Sequence, residues 1–69
     1  MKAHDVKIGQ LIKTEYGLAT VMKFFAPKSI GCIIVTSFAR PGTPGYNMYK
    51  QGEWIYIQGW DFDQAEIVV

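Results

Sequence analysis

Cysteine and histidine are almost absent from this chain: Cys32 and His4 are single among 69 residues. One cysteine excludes an internal disulfide. One histidine and one cysteine exclude a zinc cluster of the usual ligand spacing. A lone thiol fits a reducing compartment, so the cytoplasm is the expected location. Long hydrophobic runs are also missing. The longest, Ile30 to Val35, is far short of the roughly 20 residues that cross a bilayer as a helix. The opening Met1-Lys2-Ala3-His4-Asp5-Val6-Lys7 has no hydrophobic signal core, so a soluble protein is expected. No segment sustains a 3.6-residue apolar period, which leaves no helix of ordinary length. No catalytic, metal or nucleotide motif stands out, and no cofactor is expected.

Charge of one sign is lacking as well. The net charge is +1. Residues 1–28 carry five lysines against Asp5 and Glu15, while residues 29–69 carry Arg40 and Lys50 against Glu53, Asp61, Asp63 and Glu66. The first part is therefore mildly basic and the second mildly acidic. Neither amounts to the large field of a strong non-specific DNA binder, which makes many phosphate contacts.

What is present is strand patterning. Val6, Ile8 and Ile12 share one parity, with Lys7, Lys13 and Glu15 on the other, the period of a half-buried strand. Tyr16-Gly17 reads as a turn with Gly17 at positive φ. Leu18 to Phe25 reads as a second strand stopped by Pro27, and Lys28-Ser29 as the next turn. Ile30 to Phe38 is apolar on both parities, as in a strand covered on both faces, with Gly31 read as a bulge. Glu53 to Gln58 alternates: Ile55 and Ile57 inward, Trp54 and Tyr56 outward. Gly59 to Gln64 reads as a short helical turn and Ala65 to Val69 as a closing strand. Ile12, Val21, Ile34, Ile55, Ile57 and Ile67 are the expected core.

Ile8-Gly9-Gln10, Ile12, Tyr16-Gly17, Ala19 and Thr20-Val21 together resemble the opening hairpin of Src-homology-3-like and Tudor-like barrels. Similar openings occur in helicase C-terminal barrels, in the polymerase-binding barrel of transcription-repair coupling factors and in KOW-type domains. The resemblance implies an all-β, five-stranded Src-homology-3-like barrel, here a single domain over 1–69. The chain departs from that pattern in the long loop between the third and fourth strands, where a plain barrel has a short hairpin, and in Ala19, where a glycine is common. Plasmid-type dihydrofolate reductases use a small barrel of this kind as a tetramer. The nearest text to their pore signature, Trp54-Ile55-Tyr56-Ile57-Gln58, has a different order, and no catalytic residue is carried across. Function carried from such a fold is analogy.

The loop, 39–52, holds two prolines and three glycines and is longer than a tight hairpin needs. Loops of that length are usually functional or disordered. Arg40, Tyr46, Tyr49 and Lys50 in it, with Trp54 and Tyr56 beside it, are the candidate binding residues. Aromatics anchor protein partners or stack on bases, or the loop folds over them as a small second core. A non-catalytic module binding a protein through the 39–52 loop and the Trp54/Tyr56 face is the first expectation. The short chain also suits an accessory protein of a phage or mobile element. A nucleic-acid-binding barrel using Lys7, Lys13, Lys23, Arg40 and Lys50 is the second. A homo-oligomeric enzyme with its site at a subunit junction is the third, since a small barrel gains support from self-association. Asp61, Asp63 and Glu66 suggest a hard-cation site or an acid/base pair or, more simply, a cap from Asp61 or Asp63 for the short turn that Phe62 anchors in the core.

Overall fold

The computed structural model describes residues 1–38, 40, 42 and 49–68. A 3₁₀ turn, Ala3–Asp5, precedes five strands: β1 (Leu11–Thr14), β2 (Gly17–Ala26), β3 (Ser29–Ser37), β4 (Trp54–Gln58) and β5 (Glu66–Ile67). The helix α1 (Gly59–Gln64) follows β4 without a break. All pairings are antiparallel, in the order β4-β3-β2-β1-β5. The all-β class is as the alternation implies, in the form of one open sheet with a single short helix.

Alternation decides which side each strand buries. Ile12 on β1, Ala19 and Val21 on β2, Ile30, Cys32 and Ile34 on β3, and Ile55 and Ile57 on β4 form one buried cluster. Phe62 enters it from α1, and Val6 joins from the N-terminal segment. Five of the six expected core residues are in that cluster; Ile67 is half-buried against it. Cys32 has no exposed surface, and burial pushes its thiol up to about 11. A chain this short has a total stability of roughly 3–10 kcal/mol, so each of these side chains is a large share.

Two local readings change. The first strand starts at Leu11, not Val6. Residues 7–10 are a turn instead: Gln10 N–H donates to the Lys7 carbonyl at 3.2 Å, and Lys7 N–H donates to Gln10 Oε1 at 2.6 Å. Gly9, at φ +92°, makes that turn possible. Ile8 sits at its tip and is 64% exposed, despite sharing the parity of two buried residues. The irregularity expected at Gly31 falls on the partner strand: the β2–β3 register slips between Val21 and Lys23, around Met22. Gly31 has another reason to be small. A Cβ there would lie 3.0 Å from the Trp54 ring and 3.1 Å from the Phe25 ring, so both rings cover the backbone of β3.

The β1–β2 corner is tied by one side chain. Thr14 Oγ1 accepts from Tyr16 N–H at 3.0 Å and Gly17 N–H at 3.1 Å, and donates to the Gly17 carbonyl at 2.9 Å. Gly17, at φ +151°, is packed so closely on β3 that a Cβ would run into the Thr36 carbonyl oxygen. At the far end, the α-ammonium of Met1 donates to the carbonyls of Phe62, Asp63 and Ala65 at 3.1, 2.8 and 2.9 Å. These bonds hold the N-terminal segment against the end of α1.

Val21→Ala should lower stability by about 2–3 kcal/mol in a denaturant melt, since it empties space around a side chain with no exposed surface. Gly17→Ala should cost at least ~2 kcal/mol, because it adds a steric collision to an unfavourable φ. A variant at Gly17 that melts with the wild type would refute the close approach of β2 to β3.

Candidate functional site

The inward turn of Ile55 and Ile57 leaves Trp54 and Tyr56 facing solvent at 49% and 65% exposure. Phe25, from the end of β2, lies tilted against Tyr56 with ring centroids 5.6 Å apart. The ammonium of Lys23 stands 5.3 Å from the Phe25 ring centre, a cation–π distance. With Gly31 beneath them, Phe25, Trp54 and Tyr56 form an aromatic outer face across β2, β3 and β4.

A recess of about 370 Å³ opens beside that face, lined by Tyr16, Tyr49, Trp54, Ile55, Tyr56 and Asp61. Tyr16 comes from the β1–β2 corner, Tyr49 from the end of the long loop and Asp61 from α1. Tyr16 and Tyr49 stack with ring centroids 4.4 Å apart and planes 20° from parallel. The Tyr16 hydroxyl donates to Asp61 Oδ2 at 3.0 Å. Burial pushes the Tyr16 phenol far above its ordinary value of 10.0, and the Glu15 and Asp61 carboxylates push it further. It is a fixed hydrogen-bond donor at neutral pH. A second recess of about 280 Å³ adjoins along α1 and shares Asp61; its other charged residues are Lys13, Glu15 and Glu66.

Of the six expected binding residues, Tyr49, Trp54 and Tyr56 come together in the first recess. Tyr46 lies outside the described residues. Arg40 and Lys50 are exposed and are not among the recess-lining residues. Tyr16 and Asp61 complete the recess and were not on the expected list. Tyr16 read as turn punctuation, and its partner lies 45 residues away, so no local pattern joins them.

The acidic residues do not act as helix caps. Gln58 is the N-cap and makes no side-chain cap bond. Asp61 receives Tyr16, and Asp63 pairs with Lys28 at 3.1 Å. No group of three or more metal-binding side chains occurs among the described residues. No helix among them is long and apolar enough to cross a membrane. Compared with family models, curated proteins and solved structures, the chain has no match in any of the three.

The raised phenol carries a pH signature. With the folded-state value above the unfolded one, the unfolded chain releases the Tyr16 proton first as pH rises. Its contribution is therefore complete below pH 10.0 and lost progressively above it. The alkaline decline in stability should be shallower in Tyr16→Phe, and an ultraviolet titration of that variant should lack the latest-ionising phenol. Identical alkaline curves for the two proteins would remove the Tyr16–Asp61 bond from the description.

Proposed function

We propose that this chain is a non-catalytic binding module that takes a protein partner through the 39–52 loop and the Trp54/Tyr56 face. The observation that carries this reading is the recess itself. Three rings singled out from the pattern, Tyr49, Trp54 and Tyr56, line one hollow together with Tyr16 and Asp61. Half-exposed rings with polar tips around a shallow recess, beside one carboxylate, are the anatomy of an interface hot spot. Trp54 and Tyr56 are outside the buried core, whereas Tyr16 and Tyr49 pack, partly buried, against it.

The fold is read as a Src-homology-3-like barrel. Supporting this are the strand order, with β5 returning to β1, and the helix between β4 and β5. The buried, unpaired thiol fits a cytoplasmic protein.

Nucleic acid has less support. Lys13 pairs with Leu18 across the first hairpin, so Lys23 stands five residues further along β2, about 16 Å away at strand rise. Lys13 is moreover opposite Glu66 on β5. Lys13 and Lys23 are therefore not neighbours, and Lys13 faces a carboxylate, which weakens its part in the phosphate-binding reading.

The test is capture from the native host with the wild type and with a Trp54→Ser/Tyr56→Ser double variant. Both positions are exposed but the Trp54 ring also packs on Gly31, so capture is compared per folded molecule, with the melting temperature of each protein measured alongside. Loss of two hot-spot rings should reduce protein capture at least about tenfold. Equal capture by both proteins, or recovery of nucleic acid alone, would defeat the reading.

A further inference from the structure

The sheet ends at β4, and the register shows which backbone groups face outward there. Ile34 N–H donates to the Glu53 carbonyl and Gly52 N–H to the Ile34 carbonyl. Ile34 thus exchanges bonds with a bulge at 52–53. Counting by twos, the hydrogen-bonded pairs that follow are Cys32 with Ile55 and Ile30 with Ile57. Trp54 and Tyr56 therefore direct their N–H and C=O groups away from β3, toward the open edge. Among the described residues no strand pairs with that edge. Edge strands are commonly protected by a charge, a proline or a bulge within the strand. Trp54-Ile55-Tyr56-Ile57-Gln58 has no charge and no proline, and the bulge lies before it.

The recess borders this edge, since Trp54, Ile55 and Tyr56 line it. Among the described residues that line it, the one charge is the Asp61 carboxylate, set beside the Tyr16–Tyr49 stack. The adjoining recess adds Glu15 and Glu66 against Lys13 alone. Aromatic faces next to carboxylates attract a cation. They repel phosphate, which disfavours nucleic acid here. A second copy paired through β4 about a two-fold axis would bring two acidic recesses toward each other, which disfavours self-pairing.

We propose that the open edge of β4 takes an extended, basic polypeptide segment as an added strand, with one lysine or arginine of that segment entering the recess against the Asp61 carboxylate, beside the Tyr16–Tyr49 stack. The proposal rests on the reading of this face as a protein-binding surface. Backbone bonds from Trp54 and Tyr56 supply the alignment, and the recess reads one side chain of the segment.

The experiment selects phage-displayed random dodecapeptides on the wild-type protein, then titrates the selected peptides by amide NMR. The expected sequences alternate β-branched residues with a fixed Lys or Arg and lack proline. Shifts should cluster at the Trp54 and Tyr56 amides. N-methylation of the peptide residues bonded to β4 should weaken binding at least tenfold, while methylation of their neighbours should not. Asp61→Asn, which keeps an acceptor for Tyr16, should weaken binding about tenfold with an unchanged melting temperature. Four results would overturn the proposal: no selection, proline-rich winners, indifference to N-methylation or Asp61→Asn, or a protein that is already a dimer through β4. If host capture still depends on Trp54 and Tyr56 while peptides fail, strand addition falls and the binding reading stands. If capture ignores those rings, the binding reading falls with it.

Discussion

Ile55 and Ile57 lie in the same buried cluster as Ile30, Cys32 and Ile34 of β3 and Phe62 of α1, and much of the molecule's surface follows from that burial. A strand repeats every two residues, so two inward isoleucines put Trp54 and Tyr56 outside. The same register turns the backbone groups of Trp54 and Tyr56 toward the sheet's open edge. One slip of the β3–β4 pairing would bury the rings and expose the isoleucines. Removing two branched aliphatic side chains from water is worth roughly 1.5–3 kcal/mol each, a strong penalty against the slip in so small a domain. The aromatic face is thus a by-product of core burial, held in place by a requirement unrelated to binding.

The second organising element is the β1–β2 corner. Thr14 gathers the amides of Tyr16 and Gly17, and Gly17 brings β2 close to β3. This sets the backbone of Tyr16 where its ring meets Tyr49 and its hydroxyl meets Asp61. Asp61 precedes Phe62, whose ring is wholly buried. The position of the carboxylate is therefore inherited from a core residue. Rings and carboxylate come from four separate segments, and Tyr16, Trp54, Tyr56 and Asp61 are each anchored by a near neighbour in sequence that has structural work of its own.

Period-2 alternation and turn chemistry made much of this readable in advance. The inward set on β4, the proline stop near Pro27, the need for glycine at position 17 and the short helix around Phe62 are all local patterns. The misreadings share a reliance on local pattern, and for the first strand the gap is that parity says nothing about where a strand begins. Val6 and Ile12 are both buried, but the turn at 7–10 intervenes, and Ile8 points outward at its tip. Asp61 and Asp63 likewise suggested caps from position alone, whereas tertiary partners, Tyr16 and Lys28, claim them. The recess was half legible. Tyr49, Trp54 and Tyr56 stood out by type and spacing; Tyr16 and Asp61 join only through folding. Tyr46 falls outside the described residues.

Gly31 is where the fold and the candidate site depend on each other. On β3 it occupies an outward position between Ile30 and Cys32, both buried. A larger residue there would be ordinary for a strand, and glycine weakens strand formation. Its absence of a side chain lets the Phe25 and Trp54 rings settle on the backbone, at distances a Cβ would contest. The rings bury part of their surface downward while keeping the rest in contact with water. Rings so supported lose little further freedom when a partner arrives, which favours tight association over a floppy aromatic fringe. The local cost of glycine in a strand is thus offset by packing across it, and the same packing preforms the surface on which the binding reading rests.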